Sequence, residues 1–107
     1  MTAQDLYDLL LTTGYEVAYD HFAEGSNPTL PFIVYKFPSS ANMSADNSVY
    51  KQILNVTVEL YSEVKDIQSE QALESVLSQF VWDKYELFIE EEKLFQQSYQ
   101  FSIEYES

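Results

Sequence analysis

The chain has no cysteine, no arginine, one histidine and only two glycines among its 107 residues. Each scarcity closes off some chemistry. Without thiols there are no disulfides and no thiolate metal sites. With His21 alone and no cysteine, a nucleophilic triad would have to be built around that single ring. A lone histidine beside an apolar-aromatic stretch reads as a loop or edge residue. Gly14 and Gly25 are too few for a glycine-rich phosphate loop. No apolar run approaches the roughly 20 residues of a membrane-spanning helix. Residues 1–14 hold two aspartates and no basic segment, unlike a secretory leader. The three consecutive acids Glu90, Glu91 and Glu92 fall where a hairpin should turn. Neighbouring residues there diverge, so they read as a solvated turn rather than a cation cage. The expectation is a non-enzymatic protein made in the cytoplasm, with no cofactor, no metal and no membrane segment.

What the chain has in excess is negative charge: five lysines against 18 acids give −13. That lies beyond the magnitude of about 2–8 that suits a small soluble domain. Such a surface repels phosphate backbones and argues against a conventional nucleic-acid binder. It fits high solubility, a basic partner, or a surface that nucleic acid passes without adhering. Aromatic residues are also plentiful, with nine tyrosines and seven phenylalanines. They suit strands and recur at interfaces. The length fits one domain, able to bury about two-thirds of its unfolded surface in a single core.

Hydrophobic periodicity lays out the elements. Residues 2–13 read as a helix, with Thr2 and Asp5 at capping-box spacing and Gly14 as the stop. Its apolar face is Ala3, Leu6, Leu9, Leu10 and Thr13, and Tyr7 and Leu11 widen it at i,i+4 spacing. "YEVAY" is a short strand and "HFAEGSNPT" a loop. "LPFIVYKF" is a strand whose two faces are both apolar, so it is either covered on both sides or carries an interface. A polar insert follows, with its loop at about residues 39–48. "ILNVTVELY" then alternates with a clear inner face. A second helix starts at Asp66, with Leu73, Val76, Leu77 and Phe80 inside and Glu70, Glu74, Ser75 and Ser78 outside. "YELFIEEEKLFQQSYQFSIEY" closes the chain as a hairpin. Phe95, Tyr99, Phe101, Ile103 and Tyr105 share one face of it, and Gln97 is the sole polar interruption. The order α-β-β-β-α-β-β, with short connections, predicts an α+β fold: an antiparallel sheet with both helices packed on one face.

The succession "LPFIVYKF", "SADNSVY", "VTVELYSEVKD", "EQALESVL" and "YELFIEEEKLFQQSYQFSIEY" resembles the small tail-completion proteins of siphophages and of Gram-positive prophages. The resemblance runs over nearly the whole chain, and "SADNSVY" and "ELYSEVKD" are its most specific pieces. It implies a virion structural protein at the head-proximal end of a long non-contractile tail, a tail terminator or head–tail joining protein. Such proteins assemble in the host cytoplasm as a homo-hexameric ring, and some stay monomeric until they meet the tail. The ring stops tail-tube growth and docks to the head connector. DNA passes through its channel without specific binding, and acids lining that channel would keep the genome from sticking.

In this reading the insert is an assembly loop. Asp46 and Asn47 brace its turn, Ser44 belongs to it, and Tyr50 leads back into the sheet. Tyr7 and Leu11 are candidates for a subunit contact, or else peripheral core. Two other readings compete. One is a head-side connector or minor capsid component. The other is an acidic DNA mimic that inhibits a basic host protein, although the mixed strands do not suggest a regular phosphate-like array.

Overall fold

A computed structural model of the chain describes residues 1–106. The first helix, α1, spans Ala3–Leu11. The Thr2 hydroxyl accepts from the Asp5 amide at 3.0 Å, and the Asp5 carboxylate accepts from the Thr2 amide at 2.9 Å. Two amides that the helix would leave orphaned are thereby satisfied. Hydrogen bonds from the Thr2 backbone hold the Asp5 carboxyl below its ordinary range. Past the C-cap at Thr12, Gly14 takes a positive φ of 86° and turns the chain toward the sheet.

The strands are β1 (Glu16–Tyr19), β2 (Phe32–Ser40), β3 (Met43–Ala45), β4 (Ser48–Lys51) and β5 (Ile53–Ser62). After the second helix, α2 (Ile67–Val76), come β6 (Asp83–Ile89) and β7 (Leu94–Glu104). Five of these strands form one sheet in the order β1-β2-β5-β7-β6. Three of its four pairings are antiparallel, as expected. The edge pair β1·β2 is parallel, which corrects the expectation of antiparallel neighbours throughout. The connection between them, residues 20–31, has just the dozen residues that a parallel crossover needs. Phe22 packs edge to face on Phe32, which stacks on Tyr61. This pins the connection against the sheet face opposite the helices.

Alternation along the strands sends Ile33, Tyr35, Val56, Val58, Leu60, Tyr99, Phe101 and Ile103 to the other face. There they form one core with Leu6 and Leu10 of α1 and with Leu73 and Leu77 at the end of α2. Each such side chain, fully buried, contributes roughly 1.5–3 kcal/mol. Both helices thus cover one face of a mostly antiparallel sheet, which is the α+β class read from the sequence. Helix α2 stops at Val76, short of the predicted run, yet Phe80 beyond it still reaches the core by stacking on Phe101.

Two expectations change at the level of side chains. Glu70, assigned to the outside of α2, is buried at 3% exposure. The insert is not a loop of residues 39–48. β2 continues to Ser40, and a two-stranded antiparallel ribbon, β3·β4, follows. Asp46 and Asn47, at φ 53° and 63°, form its turn. Positive φ at both central residues is what a two-residue hairpin of right-twisted strands requires. Aspartate and asparagine adopt it at less cost than other side chains.

Candidate functional site

The ribbon contributes nothing to the core. From Met43 to Tyr50 every residue is exposed, including the apolar Met43 (51%), Val49 (59%) and Tyr50 (71%). Its root, by contrast, is tied down. The Ala41 amide donates to the Ile53 carbonyl at 2.8 Å, and the Ile53 amide donates to Asn42 Oδ1 at 3.1 Å. Lys51 Nζ lies 3.0 Å from Glu104 Oε1, a hydrogen bond that holds the ammonium above its ordinary value. A paired arm on an anchored base presents three large apolar side chains to whatever meets it.

Of the six residues singled out from the sequence, Ser44, Asp46, Asn47 and Tyr50 come together on this ribbon. Tyr7 and Leu11 sit elsewhere, on α1. Tyr7 is half-buried against Tyr35, with ring centroids 6.2 Å apart, and lines a shallow groove of about 390 Å³ between α1 and β1. Leu11 is exposed beyond the core face. Met43 and Val49 complete the ribbon's apolar set and were not singled out. The signal for them was alternation too short to register as strand.

A second cluster went unread in the sequence because it joins distant segments. Lys84 Nζ lies 2.6 Å from both Glu70 Oε1 and Glu74 Oε2. Lys65 Nζ sits 3.0 Å and 2.9 Å from the two oxygens of Glu70 and 2.6 Å from Glu86 Oε1. The Tyr99 hydroxyl donates to Glu74 at 2.7 Å, and Gln97 Nε2 donates to Glu86 at 2.8 Å. Burial works against the Glu74 carboxylate, but hydrogen bonds from Lys84 and Tyr99 prevail and its pKa is lowered. Glu86 is lowered by its bonds from Lys65 and Gln97. Burial, reinforced by Glu74, pushes the Tyr99 hydroxyl far up. The arrangement is a lattice of satisfied charges that ties the edge strand β6 to α2. Only the Gln97 Oε1 atom is left buried without a partner among the described side chains, apart from the Glu70 oxygen that Lys65 faces.

The remaining lysines, Lys36, Lys51 and Lys93, each also lie against a glutamate. The acidic excess is therefore left unneutralised over the rest of the surface. His21 is exposed in the crossover, with Nδ1 2.9 Å from Asp20 Oδ2. Glu90 and Glu91 lie in the β6–β7 turn with Glu92, all exposed. Among the described residues no three metal-ligating side chains converge, and no helix is long and apolar enough to cross a membrane.

These features define a class by architecture: a small α+β sheet domain with a projecting ribbon and an open sheet edge. Compared with known proteins, the chain matches no family model and no curated protein.

Proposed function

We propose that the chain is a virion structural subunit of a siphophage or prophage. It sits at the head-proximal end of the tail, ends tail-tube assembly and joins tail to head as a ring around the DNA channel. The observation that carries this reading is the ribbon: an anchored, paired arm whose large apolar side chains, Met43, Val49 and Tyr50, are each more than half exposed. Large apolar side chains held out in solvent on a built arm fit an interaction site, and a small domain gains no core stability from such an arm alone. The order of segments that resembles tail-completion proteins supports the same reading, and so does the acidic surface, which disfavours adhesion of DNA in transit. The partners are further copies of the chain, the tail-tube protein and the head connector. The ribbon, with Ser44, Asp46, Asn47 and Tyr50, is the segment offered to them.

The test removes the arm together with its root residues Asn42, Lys51 and Gln52. Ala41 and Ile53 are already hydrogen-bonded across its base, so an Asn-Gly turn can replace residues 42–52. The shortened chain is expected to fold with an unchanged far-ultraviolet spectrum. In phage lysates it should yield filled heads separate from tails of abnormal length. Normally joined particles, seen by electron microscopy, would overturn the assignment of the ribbon. Joined particles from a strain with a stop codon early in the gene would overturn the function itself.

A further inference from the structure

The sheet has two outer strands, and they are protected differently. β1 is only four residues long, and where β2 runs beyond it the pairing is broken by a bulge that contains Pro38. Proline and bulges both blunt an edge. The end of β7 that extends past β6 is met by the N-terminus: the Met1 amine donates to the Glu104 carbonyl at 3.1 Å, and the Glu106 amide donates to the Met1 carbonyl at 3.0 Å. β6 has none of these devices. It is seven residues long, pairs in unbroken register with β7 on one side and, among the described residues, has no strand on the other. It also exposes Tyr85 and Leu87, at 57% each, and Val81 just before it is 97% exposed.

We propose that β6 pairs antiparallel with β6 of a second copy of this chain, extending the sheet across a two-fold axis at Tyr85. The residues of the strand select both partner and register. Residues 81–89 read V-W-D-K-Y-E-L-F-I. Centred on Tyr85, Lys84 lies opposite Glu86 of the second copy and Glu86 opposite its Lys84, so opposite charges meet twice. On the same face Trp82 meets Phe88, and on the other face Val81 meets Ile89, Asp83 meets Leu87 and Tyr85 meets itself. Shifting the axis to Glu86 sets glutamate against glutamate, and shifting it to Lys84 sets lysine against lysine. Like charges directly opposite disfavour a pairing, whereas opposite charges and aromatic pairs favour it. The lattice behind the strand serves the same end. Lys84 and Glu86 are held by Glu70, Glu74 and Lys65 on the helix side of the sheet, so both charges are fixed on one face of the edge. An isologous contact of this kind closes on itself and stops at two copies. It involves neither the ribbon nor α1, and a two-fold pair of the free protein is a different association from the head-to-tail contacts of a ring, so it stands or falls independently of the proposed role in a tail.

The natural absence of cysteine makes the register directly testable. Directly opposed residues of antiparallel strands have Cα atoms about 4.5–5.5 Å apart, within reach of a disulfide. Tyr85→Cys should therefore link to its own counterpart on oxidation. Leu87→Cys, displaced along the strands from its counterpart by about 13 Å, should not. Sedimentation of the unmodified protein should show a reversible species of twice 12.5 kDa. Tyr85→Lys, which puts two ammonium groups on the axis at an exposed position, should raise the dissociation constant about tenfold or more with an unchanged melting curve. A strictly monomeric wild type, an assembly indifferent to Tyr85→Lys, or linking of Leu87→Cys as fast as Tyr85→Cys would each overturn the pairing.

Discussion

Glu70 shows how one residue can belong to a pattern and depart from it. Its charge argued for the solvated side of α2, although it precedes Leu73 by three positions and Leu77 by seven and so shares their face of the helix. The fold instead brings Lys65 and Lys84 onto it from either side and closes it off from water. An isolated buried carboxylate would be prohibitive, and two ammonium contacts make it tolerable. Glu70→Gln keeps the shape and removes the charge, leaving Lys84 with Glu74 and Lys65 with Glu86. The expected cost is about 1–3 kcal/mol, read as a lower urea midpoint with an unchanged denaturant slope. Glu90→Gln, whose acid pairs with Lys93 in the open, should leave the midpoint where it is.

At the scale of elements, the ribbon was legible only in part. Its polar residues and its turn-forming pair were visible in "SADNSVY", but strands of three and four residues are too short for alternation to declare them. Pairing between them, not the preference of either, makes them strands. The turn itself has a testable weakness, because neither central residue is glycine although both have positive φ. Asn47→Gly should stabilise the ribbon by up to about 1 kcal/mol. Slower amide exchange at Ser44 and Val49 would report it, and the global melting temperature should barely move because the ribbon lies outside the core. The reciprocal bonds at Thr2 and Asp5 present the opposite case. That cap was readable from spacing alone because it is local, needing only residues three apart.

For the whole molecule, acidity and the charge lattice together set the response to pH. Glu74, Glu86 and Asp5 have lowered pKa values in the folded state. As pH falls through the ordinary carboxyl value near 4.5, the unfolded chain takes up protons before the folded one does, and stability drops. Lys65, Lys84 and Tyr99 are shifted upward. Their contribution is complete below the ordinary values of 10.5 and 10.0 and is lost as pH rises through the elevated ones. Urea midpoints should thus form a plateau between these limits and fall on both sides. Glu86→Gln should flatten the acid arm specifically; an arm as steep as that of the wild type would show that this carboxylate is not linked to folding.

The sequence alone determined the class of fold, the two helices, the inner face of β5 and β7, and the acidic surface. All of these follow from periodicity and composition, which act through nearest neighbours along the chain. Tertiary structure alone decided that β1 runs parallel to β2, that Glu70 lies inside, and that β6 is left as the bare edge. Those outcomes depend on which segments meet after long excursions. A parallel crossover is chosen by what its connection can pack against, here Phe22 on Phe32 and Tyr61. A buried charge is permitted only by lysines five and fourteen residues away. An open edge exists only once every other strand has found its neighbours.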